Sequence, residues 1–167
     1  TRNRVAGVVG ALVFAFSREF WEQSVIAEVY SLNAFFIALC VLLLLSWRDS
    51  RRTSTFLWFA FVFGLSLTND NTMLVVAPVF AVFVLLVDPR FWERIGMYMG
   101  GAALACLGLA VYAYLPIRSA ANPPVDWGNP ETWSNFWDVV TRKQYAFMFT
   151  ENPRSLGLFA RQCWTFL

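Results

Sequence analysis

Three polar clusters in this 167-residue chain carry the side chains that could do chemistry. The first holds Glu19, Glu22 and Glu28, the second Asn69, Asp70 and Asn71, and the third Arg118 and Asp126. Carboxylates beside amides can act as a general base or hold a divalent cation through oxygen ligands. An arginine just past an apolar stretch, followed by small residues, suits a phosphate at headgroup depth, because its guanidinium fork pairs bidentately with the oxygens. Together the clusters suit transfer of a group from a lipid-linked phosphate donor. Each residue also has a plainer role open to it. Polar groups at helix ends cap helices and meet water, and Arg118 can snorkel to an interface. Glu28 stands apart, because Ala27 and Val29 flank it near the start of an apolar stretch, where burial without a partner is costly.

Five apolar stretches separate and position these clusters: Val5–Phe16, Ser31–Trp47, Thr55–Thr68, Thr72–Val87 and Ile95–Leu115. Hydrophobic residues make up 58% of the chain and charged residues 14%, which leaves no polar coat for an ordinary soluble domain. Several stretches are shorter than the roughly 20 residues of a perpendicular span, and flanking Trp, Tyr and small polar residues extend them. The expected fold class is therefore an all-α integral membrane bundle of about five transmembrane helices. Ser17–Tyr30 has helical periodicity and, with Phe20 and Trp21, reads as one interfacial helix. Gly7 and Gly10, and then Gly96, Gly100, Gly101 and Gly108, suggest close-packing faces. Pro78 is expected to kink the fourth span.

The cations are unevenly placed. Arg2 and Arg4 precede the first stretch, Arg48, Arg51 and Arg52 follow the second, and Arg90 and Arg94 follow the fourth. The alternate breaks hold Arg18 as their only cation. By the positive-inside rule the N-terminus is cytoplasmic, and all three polar clusters face the outer compartment. A net charge of +2 is too small to point to nucleic acid. Cys40, Cys106 and Cys163 lack metal-ligand spacing and the chain has no histidine, which excludes a zinc or haem site of the usual kind and leaves the cysteines structural.

Residues 1–115 thus read as the bundle and 116–167 as an outer-face segment. Pro116–Pro130 reads as an extended loop. Asn129 is the expected N-cap of a following helix, with Pro130 at its first position and Glu131 in its first turn. Trp133, Phe136, Trp137 and Val140 would form one aromatic face, resting on the membrane or the bundle. The chain opens on Thr1 and closes on Trp164-Thr165-Phe166-Leu167, like the approach to a further span, so a piece of a longer polypeptide is expected.

Three blocks carry a resemblance: Phe20–Asn33 (FWEQSVIAEVYSLN), Gly64–Asn69 (GLSLTN) and Tyr114–Trp133 (YLPIRSAANPPVDWGNPETW). They resemble a widespread bacterial multi-pass family related to the eukaryotic transmembrane protein O-mannosyltransferases, and the match extends over nearly the whole chain. The resemblance implies a GT-C glycosyltransferase that uses a polyprenyl-phosphate sugar at the outer membrane face. In a bacterium that is the periplasmic side of the cytoplasmic membrane. It also implies Arg118 as the donor phosphate ligand. Glu22, Glu28, Asn69, Asp70 and Asp126 would order the pocket or the protein or glycan acceptor.

Two departures accompany the resemblance. The acidic catalytic segment of such enzymes would precede Thr1, so no catalytic residue or metal ligand is assigned. The family commonly continues Thr68-Asn69 with histidine, whereas this chain has Asp70. A second function therefore stands beside the first: a non-catalytic membrane subunit that scaffolds a larger respiratory or photosynthetic complex and contacts other membrane subunits. Intramembrane charges of the kind that mark an ion path are lacking, which sets a transporter or channel aside.

Overall fold

A computed structural model describes residues 3–26, 28–146 and 155–165, and the described residues are helices and their connections, without strands. They fall into two compact units, Thr1–Val111 and Tyr112–Leu167.

In the first unit α1 (Arg4–Ala15) begins where Asn3 Oδ1 accepts the Val5 and Ala6 N–H groups at 3.0 and 3.3 Å. Helix α2 (Arg18–Val25) begins at Ser17, whose hydroxyl accepts from the Phe20 N–H. The expected helix over Ser17–Tyr30 is shorter: Ile26 is extended and a new helix, α3, runs from Tyr30 to Ser50. The β-branched pair Val25-Ile26 is stiff at χ1, and the Ser24 hydroxyl donates back to the Phe20 carbonyl at 2.7 Å. Both disfavour continuing the helix. Arg51 closes α3 in the left-handed region at φ 54°, its N–H donating to Trp47 O.

Helices α4 (Thr53–Leu67), α5 (Thr72–Val87) and α6 (Ile95–Leu109) complete the unit, and α5 runs through Pro78. The core is aromatic. Phe36, Cys40, Leu44 and Trp47 recur along one face of α3, against Phe56 and Phe59 of α4 and Phe80 of α5. Helix α4 packs most extensively on α6, not on its chain neighbour α5. Glycine makes that approach possible. A Cβ on Gly64 would overlap the Ala105 carbonyl, and one on Gly108 would stand 2.5 Å from Leu65 N and 2.6 Å from Phe61 O. The close-packing expectation holds for Gly101 and Gly108, while Gly10 and Gly96 face open space.

The connections sort to two ends. At the basic end Tyr98 donates to Asp88 Oδ2 at 2.9 Å, Arg94 Nη1 lies 3.8 Å from the same oxygen, and Arg94 Nη2 donates to Arg51 O at 3.2 Å. This ties the C-termini of α3 and α5 to the start of α6. Trp47 is fully buried beside it, with the Arg51 guanidinium 5.9 Å from its ring centroid. Sequence reading found the cations here but not their acceptor, Asp88. Asp88→Ala leaves Tyr98 and Arg94 without their shared acceptor and is expected to lose about 2 kcal/mol, more than Tyr98→Phe at about 1 kcal/mol. Thermal unfolding in detergent measures both, and equal melting of wild type and Asp88→Ala would refute the tie.

Two helical stretches, Tyr30–Ser50 and Phe91–Ser119, are long and apolar enough to cross a membrane, with mean hydropathies of 2.0 and 1.7. Helices α1, α4 and α5 are apolar but span 12, 15 and 16 residues. At 1.5 Å per residue that is roughly 18–24 Å, so the helices alone do not establish five crossings.

In the second unit the expected extended loop over Pro116–Pro130 begins instead as a helix. Helix α7 spans Tyr114–Ser119, and the Ala120 N–H donates to Pro116 O at 3.0 Å. Helix α8 (Trp133–Val140) starts later than expected. Gly128 and Asn129 are left-handed at φ 74° and 40°, so Asn129 cannot serve as an N-cap. Thr132 is extended and its hydroxyl accepts from the Asn135 N–H at 3.2 Å. The aromatic face forms: the Trp133 ring lies 5.7 Å from Phe136 and 5.6 Å from Trp137, and Trp133 stays exposed. Helix α9 covers Leu156–Thr165. The expectations placed on Arg2, Phe166 and Leu167 lie outside the described residues.

Candidate functional site

Opposite the basic end of the first unit, two connections meet. The turn between α4 and α5 is closed by Asp70, whose N–H donates to Ser66 O and whose Oδ1 accepts the Thr72 N–H at 2.7 Å. Asp70 is buried, so its charge sits at the start of α5, where the helix dipole favours it. Asn69 Nδ2 donates to the Val29 carbonyl at 3.3 Å, and Asn33 Nδ2 donates to Thr72 Oγ1 at 2.8 Å. These two bonds fasten the Asn69-Asp70-Asn71 turn to the start of α3. Asn33 Oδ1 is buried and accepts no hydrogen bond.

Glu28 lies one residue before Val29, at the break between α2 and α3. It is exposed, not buried as its apolar neighbours suggested, and its N–H donates to Ile26 O at 2.8 Å. The break turns its carboxylate to the surface. Glu22 accepts from Arg18 Nε at 2.8 Å in an exposed i, i+4 pair, which accounts for both residues without a ligand. Asn69 and Asp70 are therefore brought together beside Val29 and Asn33. Sequence reasoning missed Asn33 and Thr72 as members; the signal was Asn33 standing one turn into the apolar stretch, where an amide needs a partner.

In the second unit Ser119 organises the segment around Arg118. Ser119 is buried, and its hydroxyl lies 2.7 Å from Asp126 Oδ2 and 3.2 Å from Asn129 Oδ1. A hydroxyl has one proton, and the shorter, charge-assisted contact takes it. Ser119 thus holds the Asp126 end of a strap, residues 126–129, with the Asn129 amide beside it. Arg118, next to it in α7, is exposed and makes no ion pair with any described residue. Asp126 is committed to Ser119 and shapes the strap. Ser119 had no signal in the sequence beyond standing beside Arg118. Among the described residues no three acidic, histidine or cysteine side chains converge.

The family model for the N-terminal domain of the protein O-mannosyl-transferase TMEM260 matches residues 1–93. The chain belongs to this family. Protein O-mannosyl-transferase TMEM260 of Mus musculus is 31% identical over 153 residues, covering 86% of this chain and 21% of the relative. The TMEM260 protein O-mannosyl-transferase of Dictyostelium discoideum is 26% identical over 160 residues, covering 86% of this chain and 19% of that relative. The chain therefore spans about a fifth of the length of these TMEM260 relatives. No solved structure matches it. Both TMEM260 names are those of a transferase. The TMEM260 model takes in the Asn69-Asp70 turn, while Arg118 lies beyond it.

Proposed function

We propose that this chain is a membrane portion of a protein O-mannosyl-transferase that uses a polyprenyl-phosphate mannose donor. The observation that carries the reading is the sorting of connections in the first unit, arginines at one end and the fastened amide-carboxylate turn at the other, in a chain of the TMEM260 family. On this reading the chain crosses the membrane five times, with α1, α4 and α5 as short spans completed by flanking interfacial residues. The arginine-rich end is cytoplasmic. In a bacterium the amide-rich end then faces the periplasm, and residues 116–167 lie on that side with a GT-C-type site.

In the transfer, an acceptor hydroxyl oxygen bonds to C1 of the mannosyl group as the bond from C1 to the phosphate oxygen breaks. Polyprenyl phosphate leaves and the hydroxyl proton passes to a base. Arg118 is free to pair with the phosphate, whose charge grows as the bond breaks. Glu28, Asn69 and Asp70 order the pocket and acceptor. Arg118→Ala in the full-length protein is expected to weaken polyprenyl-phosphate binding by roughly 10- to 100-fold, the loss of about 1.4–2.8 kcal/mol. Arg118→Lys, which keeps the charge but not the fork, should fall between. Equal binding by wild type and Arg118→Ala would end the donor assignment.

A further inference from the structure

The strap that Ser119 holds also walls a cavity of about 450 Å³, lined by Trp127, Gly128, Asn135, Asp138, Val139 and Lys143. Its size lies within the ~300–1,000 Å³ of small-molecule sites. Gly128 lets the strap come down onto α8: a Cβ there would stand 2.5 Å from Val139 Cγ2, on a backbone at φ 74°. The Asp138 carboxylate is held by Lys143 Nζ at 3.0 and 3.1 Å. Asn135 Nδ2 donates to Asn129 O at 2.8 Å, and its amide oxygen accepts from none of the described residues. The Trp127 indole is largely exposed.

We infer that this cavity is a binding subsite for a hexopyranose ring. A pyranose has a C–H face and a rim of hydroxyls that both donate and accept. The indole of Trp127 matches the face; the Asp138 carboxylate, the Lys143 ammonium and the Asn135 oxygen match the rim. Other ligand classes fit less well. A phosphate would meet a lysine already neutralised by Asp138, and an alkyl or isoprenoid chain would bury that ion pair against hydrocarbon without new partners. The inference rests on the transferase reading only for where the sugar comes from. Two sources share this chemistry: the hexose of the donor, and a sugar already attached to the acceptor.

The test uses the full-length protein in detergent with methyl α-mannopyranoside, which has the ring but no phosphate, followed by saturation-transfer NMR and calorimetric titration. Binding is expected, about tenfold weaker in Trp127→Ala and in Asp138→Asn, and largely kept in Trp127→Phe, which retains a flat ring and shows that the strap still folds. Sugar-free polyprenyl phosphate is titrated in parallel and reports on the Arg118 site. Loss of that binding overturns the donor assignment and leaves this one standing. A rise in donor KM in Asp138→Asn assigns the cavity to the donor hexose, and a rise in acceptor KM alone assigns it to a glycosylated acceptor. No binding of the methyl glycoside, or equal binding by all the variants, overturns the inference.

Discussion

Gly64→Ala is expected to melt roughly 6–12 °C below the wild type, the equivalent of about 3 kcal/mol in a chain of this size. The added methyl must occupy the space of the Ala105 carbonyl, and that oxygen belongs to the backbone of α6. A side chain could rotate away, but two packed helix backbones can separate only by giving up the contacts of the whole α4–α6 face. Gly96→Ala supplies the control on the same pair of helices. It faces open space in a helix, so alanine should stabilise by about 0.5–1 kcal/mol through the lost freedom of the unfolded chain. Circular dichroism melts in detergent distinguish the two. Matching melting points for Gly64→Ala and wild type would mean that α4 and α6 do not meet as described.

If the chain serves the transferase proposed above, Ser119→Ala is expected to lose most of the mannosyl transfer with only a moderate loss of stability. The hydroxyl is buried and supplies the one proton shared toward Asp126, while Asn129 lies on the same oxygen. Removing it leaves a carboxylate oxygen without its donor, a loss of about 1.5–3 kcal/mol for a charged group. Most of that strain should be released by the strap moving, because Asp126 and Asn129 lie in exposed backbone and can reach water. The strap carries Trp127 and stands beside Arg118, so its displacement should reach donor binding and transfer together. Ser119→Thr keeps the hydroxyl and should retain part of the activity. The assay is mannosyl transfer by the full-length protein, alongside its melting temperature; wild-type activity in Ser119→Ala would remove the strap from the mechanism.

Much of this architecture was legible from periodicity and charge. Apolar stretches marked α1 and α3 to α6, and the arginine asymmetry marked the two ends of the first unit, because long-range order of that kind is written in residue types. What escaped was set by single backbone angles and by partners far apart in sequence. The helix expected through Tyr30 stops at Val25, and the cap expected at Asn129 falls at Thr132, since a positive φ at Asn129 leaves no trace in composition. Asn69 and Asp70 were legible as candidates because amides and a carboxylate interrupt apolar runs. Their partners Val29, Asn33 and Thr72 were not, because a bond from residue 33 to residue 72 depends on the fold. Glu28 misled for a related reason: apolar neighbours in sequence say nothing about a chain break that turns a side chain outward.

The pairing of α4 with α6 has a consequence for how the protein is made. A ribosome delivers α4 and α5 before any of α6 exists, so the glycine notch at Gly64 has no occupant when it first emerges. At roughly 5–20 residues per second, the stretch from the end of α4 to Gly108 takes about two to eight seconds to synthesise. During that time lipid, the insertion machinery or a foreign helix with small residues competes for the notch. Slowing synthesis between Thr72 and Gly108 is therefore expected to lower the yield of folded protein, read as the fraction recovered in monodisperse form, even though its amino-acid sequence is unchanged.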